Sequence, residues 1–357
     1  MAVRGRASPA GTRVRHRASN AATGPPWPEA AEEFYMMRFS LVAAVLFLAL
    51  QPASHAQPVT AAALPLEAGP EEQAALGRLA YRGGLVLASD DERFGGLSAL
   101  EVSADGTRLL ALSDSAWWVT GALAWDDATN TLTGFSDLSI SPVRDSDGRH
   151  FEGRSGDSEG LTALGDGRYA VSFERRHRVL TYALGEDWSA RDTALPQPLD
   201  TPDALSGLPD NRGLESLALT DEGRLVMGVE YPTDLGLGHA LWVGGDTGWQ
   251  RYSLHSRPSF GLTGMAAYDG TIYAVERFYS RAAGNRIGII AFPVPETGAP
   301  AAITPETLGR IDPPLPVDNF EGIAVIERGG ETLVLIISDD NFSNRQRTLL
   351  MAFAVGE

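Results

Sequence analysis

The 357-residue sequence contains no cysteine and no lysine. Without cysteine there can be no disulfide, no thiolate metal site and no cysteine nucleophile. Without lysine there is no Schiff-base chemistry. All 29 basic residues are arginine, whose planar guanidinium grips carboxylates or phosphates through paired N–H bonds. Histidine is scarce as well: the six stand at 16, 55, 150, 177, 239 and 255, with no pair at zinc-ligand spacing. Long helical patterns are few, whereas 39 glycines and 22 prolines punctuate short apolar runs, which favours an all-β fold rich in turns.

One longer apolar run exists, LVAAVLFLAL, and it is shorter than the roughly 20 residues of a membrane span. Placed between Met37-Arg38 and QPASHAQP, it reads as the core of a signal peptide over residues 36–56, cleaved near Ala56. A periplasmic or secreted chain without a stable membrane span is therefore expected. Residues 1–35 then read as a mis-assigned start or a disordered leader, with Met36 or Met37 as the true start; the alternative is a basic tail ahead of a signal anchor. Residues 57–74 read as a linker and 75–357 as the folded domain, expected to be monomeric.

The formal charge is −17, and residues 1–56 hold six arginines and three glutamates, so their removal leaves −20. Nucleic acid is an unsuitable partner for such a surface, because affinity for it comes largely from neutralising phosphates. Divalent cations suit it.

Residues 157–178 read DSEGLTALGDGRYAVSFERRHR. LTAL and RYAVSF are short β-prone runs, and GDG between them supplies the positive φ angles of a tight turn, so the stretch predicts a β-hairpin. The two ends of a hairpin lie side by side, which sets Glu159 and Glu174 on one edge of the molecule. The pattern recurs as GGLSALEVSADGTRLLALS, LESLALTDEGRLVMGVE, TGMAAYDGTIYAVE and EGIAVIERGGETLVLIISD, with starts about 48 to 64 residues apart. That spacing leaves room for two further strands per unit, as in a four-stranded propeller blade. Third strands are expected at 117–125, 179–184, 240–243, 286–292 and 348–355. The prediction is an all-β propeller of five or six four-stranded blades. Residues 138–157 and 184–212 are long enough to hide a sixth, and a β-sandwich is the alternative fold. The last unit runs out of chain after its third strand, so an N-terminal strand at 76–80 is expected to close the ring.

In a propeller the innermost strand of each blade lines the axis, and both free ends of the inner hairpin lie on one face. The sequence places Glu159, Glu215 and Glu321 at strand starts, and Asp114, Glu174, Glu230, Glu276 and Asp339 at strand ends. Eight carboxylates from five units would share one funnel, with Arg175, Arg212, Arg277 and Arg345 nearby. Ionised carboxylates crowd together only with compensating positive charge, since each raises its neighbours' pKa. Calcium, which accepts six to eight oxygens, is one solution, and arginine forks are the other. The competing explanation is structural: a glutamate at a strand start can accept backbone N–H bonds and hold the ring together. A closure role alone, however, requires one residue per blade, whereas here both hairpin ends are acidic. GDSEG at 156–160 fits G-x-S-x-G, but it precedes a strand instead of forming the strand-to-helix elbow that a nucleophilic serine needs. Trp117 and Trp118 are expected to pack between blades.

Taken together, FGGLSAL with SDSAWW, DSEGLTAL with VSFERRHRV, NRGLESLAL, NFEGIAV and SDDNFSNRQRTLL resemble the phytase-like family, whose members are labelled as having esterase-like activity. The resemblance runs from about Leu76 to Val355. It implies a β-propeller related to the calcium-dependent phytases, which cleave phosphate monoesters. Glu159, Glu174, Arg175, His177, Glu215, Glu321, Asp339, Asp340 and Asn341 match the family pattern, while Thr263-Gly264 departs from it. The expected catalytic residues are Glu159, Glu174, Glu215 and Glu321. Arg175, His177, Arg277 and Arg345 are expected to bind the substrate, a small ester or phosphate. Calcium is expected on Glu159, Glu215, Glu230, Glu276, Glu321 and Asp339. A non-catalytic propeller that binds a ligand or protein through the same rim is the alternative.

Overall fold

The computed structural model describes residues 56–232, 238–245, 248–296, 298 and 301–356. Residues 1–35 and the expected signal peptide up to residue 55 lie outside the described residues. Among those described, no helix is long and apolar enough to cross a membrane.

The chain opens with β1 (Thr60–Ala63), the helix α1 (Pro70–Leu76) and β2 (Leu79–Ala88). Blade I follows as β3 (Leu97–Val102), β4 (Arg108–Ser113), β5 (Trp117–Asp126) and β6 (Thr131–Pro142), and blade II as β7 (Ser158–Gly165), β8 (Arg168–Phe173), β9 (Arg178–Ala183) and β10 (Gln197–Leu199). Blade III comprises β11 (Leu214–Leu219), β12 (Leu225–Val229), β13 (His239–Gly245) and β14 (Gly248–Leu254). Blade IV holds β15 (Gly261–Tyr268), β16 (Thr271–Ser280) and β17 (Gly284–Pro293); the chain then adds β18 (Ala302–Ile303) to the outer edge of blade III before returning as β19 (Glu306–Ile311), the outer strand of blade IV. Blade V is β20 (Asn319–Arg328), β21 (Glu331–Asp339) and β22 (Thr348–Val355), with β2 and β1 beside them.

The described residues thus form five sheets, each antiparallel from the inside outward, save for the parallel β14–β18 edge. Each innermost strand neighbours the next: β3 lies by β7, β7 by β11, β11 by β15, β15 by β20, and β20 by β3. Five blades therefore close a ring around one axis. No sixth blade is hidden: residues 138–142 finish β6, and 184–212 hold only the short β10 and one 3-10 turn. The hairpin turns behave as DG and GG sequences require, with positive φ at Asp166-Gly167, Asp269-Gly270 and Gly329-Gly330. The expected linker at 57–74 is structured: it contains β1 and most of α1. Leu76 ends that helix, so pairing with β22 begins at Leu79 and runs to Leu87, not over 76–80.

Stability comes from blade-on-blade packing. Five apolar clusters each join two neighbouring blades; one sets Leu97, Ala111 and Val119 of blade I against Leu335, Leu350 and Leu85 of blade V. A blade is covered on both faces, so its middle strands read as continuous apolar runs, as in TLVLIIS of β21. Burying one such leucine or isoleucine fully contributes about 2 kcal/mol.

Candidate functional site

Every inner hairpin carries a register shift at its first turn of pairing: between Leu97 and Ala99, Ser158 and Leu161, Leu214 and Ser216, Leu262 and Gly264, and Phe320 and Gly322. A bulge leaves one residue unpaired and re-aims its side chain. The residues at these five bulges are Ser98, Glu159, Glu215, Thr263 and Glu321, and all are buried. The small residue that follows lets adjacent blades approach. A Cβ on Gly264 would stand 2.2 Å from the Glu321 carbonyl oxygen, so Glu-Gly and Thr-Gly serve one geometric purpose.

The register also fixes which strand-end residues are equivalent. The partner of the residue just before each bulge is Ser113, Phe173, Val229, Glu276 and Ser338 in blades I to V. The next residue along is therefore Asp114, Glu174, Glu230, Arg277 and Asp339. Blade IV places an arginine where the other four place a carboxylate. Glu276 is one position short of that ring and lies instead 3.2 Å from Arg257 Nε and 3.9 Å from His239 Nε2. Of the six residues on which calcium is expected, it is the one that stands off the ring.

Asp157, Glu159 and Glu174 bring one oxygen each within 4.8 Å of one another. Glu174 accepts the Gly213 backbone N–H at 2.8 Å, and Asp157 pairs with Arg175, which takes a positive φ in doing so. Glu159, only 9% exposed, has no hydrogen-bond or ion-pair partner among the described residues. On the other side Arg277 Nη2 lies 3.2 Å from Glu230 and 3.5 Å from Glu321. Asn319 donates to both Glu321 and Asp339 at 3.0 Å. Below the ring the axis is filled by Leu100, Leu161, Leu217, Met265 and Ile323.

That apolar floor explains the electrostatics. Burial, reinforced by Glu321 and Asp157, holds the Glu159 carboxyl well above the usual range, and burial with Glu159 and Glu230 does the same to Glu215. Burial pushes Glu230 and Glu321 up to about 7 although Arg277 opposes the rise, and it pushes Asp339 up to about 8 with help from Glu321. Burial works against the charge of Arg277 too, but Glu321 and Glu230 outweigh it.

Of the expected site residues, Glu159, Glu174, Glu215, Glu230, Glu321, Asp339 and Arg277 are brought into one electrostatically linked ring, and Arg175 stands at its edge. His177 lies beside Glu174 but is tied to the next loop: its Nε2 faces the Pro209 carbonyl at 3.1 Å and its ring packs on Gly213. Arg345 stays exposed on the loop after β21, with no ion pair among the described residues. The tightest carboxylate group is not Glu159, Glu215 and Glu321 but Asp157, Glu159 and Glu174. Asp157 was missing from the expected ligands, although it opens the DSEG stretch. Ser158 is fully buried and donates to the Ser113 carbonyl at 2.7 Å, which leaves it no role as a nucleophile. Trp118 packs between blades I and II beside Tyr182, and Trp117, partly buried against the cluster between blades I and V, also stacks on His150 with ring centres 4.1 Å apart.

Trp117 and His150 form part of an open cavity of about 530 Å³, which Asp114, Asp157, Arg175 and Arg154 also line. Asp157 thus belongs both to the cavity and to the carboxylate group. Three carboxylates at this spacing, one buried without a partner, fit a hard cation with oxygen ligands.

A family model described as phytase-like, esterase-like activity of phytase, matches residues 92–342. No curated protein matches the chain. Among solved structures, the phage phi92 endosialidase is similar at 10% identity over 86% of this chain and 59% of its own, with a TM-score of 0.38. A bifunctional GH43-CE protein of Bacteroides eggerthii shares 11% identity over 77% of this chain and 34% of its own, with a TM-score of 0.40. The α-L-arabinofuranosidase CtGH43 of Clostridium thermocellum shares 13% over 69% and 83%, with a TM-score of 0.41. This chain spans less than two thirds of the first two. At such TM-scores, nothing about its chemistry follows from any of the three.

Proposed function

This chain belongs to the phytase-like family, and from that premise we propose that it is an exported, calcium-dependent hydrolase of phosphate esters. The observation that carries this reading is Glu159, buried without a partner between Asp157 and Glu174 beside an open cavity. Asp157, Glu159 and Glu174 would hold the ion, with Glu215 and Glu321 behind them. Bound there, calcium would supply positive charge to a phosphoryl oxygen and to an attacking water. The protein's own groups do the rest. Arg175, fixed by Asp157, presents its guanidinium to the cavity. Burial and Glu159 hold the Glu215 carboxyl above the usual carboxylate range, the direction that a proton donor to a leaving oxygen requires. Trp117 and His150 wall the cavity. Export rests on the sequence of residues 37–56, and closure of the ring by β2 rests on its register along β22.

A second reading, a propeller that binds a ligand without turning it over, has one observation in its favour. Arg175 and Arg154 are both committed to carboxylates, Asp157 and Asp210. The test is an assay of dialysed protein against phytate and a simple aryl phosphate, with and without calcium. Calcium-dependent turnover supports the hydrolase; a calcium-induced rise in melting temperature with no turnover of either ester supports the binding module.

A further inference from the structure

The ring of carboxylates is interrupted at one blade only. At the strand-end position four blades carry Asp114, Glu174, Glu230 or Asp339, and blade IV carries Arg277. At the bulge the same blade carries Thr263, whose hydroxyl is turned to the Phe320 carbonyl at 3.2 Å. Blade IV therefore contributes no negative charge to the ring, and its one cation bridges the blades on either side through Glu230 and Glu321.

We propose that Arg277 is a built-in counter-cation: its guanidinium fills the sector of the ring bounded by Glu230 and Glu321, so that the ring takes one divalent ion, on the blade II side, and excludes a second. This rests on the reading that the ring binds a cation at all. The two sectors differ in the way such a division requires. On the Arg277 side Glu230 pairs with the guanidinium and Glu321 with both the guanidinium and Asn319, while Glu215 stands between the two sectors with no ion pair among the described residues. On the blade II side Glu159 is nine-tenths buried and has none among the described residues. A guanidinium is planar, cannot lose its proton in a protein and offers five N–H donors, so it can serve two carboxylates permanently where a metal ion can dissociate. Blades III, IV and V are thus held to one another at the axis in the absence of metal, and the response to the ion is confined to the side of blades I and II.

The experiment is a count of bound calcium, by calorimetric titration of dialysed protein and by elemental analysis after gel filtration in calcium. Wild type and Arg277→Lys are expected to bind one ion per chain. Arg277→Met, purified in 10 mM calcium, is expected to bind two, and the Arg277→Met/Glu230→Gln double variant to return to one. Two ions on wild type, or one on Arg277→Met, overturns the assignment while leaving the cation site in place. Failure of Arg277→Met to fold in calcium also overturns it, since a second ion would then be unable to replace the guanidinium. No ion on wild type overturns the cation reading itself.

Discussion

Replacing Glu159 by glutamine keeps the shape of the side chain and removes one charge from the ring, which separates the cation-binding reading from the structural one. Two unit charges 4.8 Å apart, at an effective dielectric of about 20, repel by about 3 kcal/mol. In a chelator, at a pH high enough to ionise it, Glu159 faces Glu174 with no ion between them, the charge of Asp157 being offset by Arg175, so Glu159→Gln is expected to be the more stable protein by about 3 kcal/mol. At roughly 2 °C per kcal/mol for a domain of this size, that is a melting temperature about 6 °C above wild type. Calcium at a hundred times its dissociation constant stabilises wild type by about 2.7 kcal/mol, or about 5 °C, and should stabilise the variant hardly at all, so the gap nearly closes. At a pH low enough to protonate Glu159, its carboxyl resembles the amide and the two proteins should melt together. The assay is thermal unfolding followed by circular dichroism. A variant less stable than wild type in chelator at the ionising pH would refute the reasoning, because Glu159 would then be holding blades together through bonds to the chain.

The carboxyls of Glu230, Glu321 and Asp339 have folded pKa values above their ordinary ones, so the unfolded chain loses its protons first. Metal-free protein should accordingly be most stable below about pH 4 to 5 as far as these groups are concerned and lose that stability as pH rises to about 8; urea midpoints across this range, with and without calcium, check it, and a midpoint rising steadily through the window in chelator contradicts it. Gly264→Ala drives a methyl into the Glu321 carbonyl and should cost about 3 kcal/mol in urea unfolding, whereas a neutral result would mean that the inner strands separate freely. Phe353→Ala, at a fully buried site between blades IV and V, should cost about 3 to 5 kcal/mol in the same assay. Ser158→Ala should retain whatever ester hydrolysis the wild type shows, because this serine only bonds the Ser113 carbonyl; loss of turnover with an unchanged melting temperature would restore the serine-nucleophile reading.

The blades were legible because each inner hairpin combines short apolar runs with a turn glycine, preceded by Asp, Glu or Gly, and the third strands were placed by length alone. The carboxylates at Glu159, Glu215 and Glu321 were legible as well, since each begins a β-prone run with a charge and a small residue that an ordinary strand has no use for. Bulges were not, because an unpaired residue has no compositional signature; they appear only in the register. This is why Glu276 looked equivalent to Glu174 and Glu230. A count from the turn glycine would have corrected it: seven residues after Gly167 comes Glu174, seven after Gly223 comes Glu230, and seven after Gly270 comes Arg277. Asp157 escaped for a different reason. It lies before the strand, in a loop whose approach to Glu174 depends on Arg175 and on the Glu174 backbone N–H, which donates to the Asp157 carbonyl. The helix α1 was hidden within a short stretch rich in alanine, glycine and proline, and its one buried residue, Leu76, gives no periodicity to detect.

The most direct measurement is a long-wavelength anomalous diffraction map from crystals grown in millimolar calcium at pH 8. The expected result is a single peak about 2.3 to 2.6 Å from carboxylate oxygens of Asp157, Glu159 and Glu174. An ordered ring with no anomalous density beside Glu159 would contradict the claim that the five blades converge on a cation site.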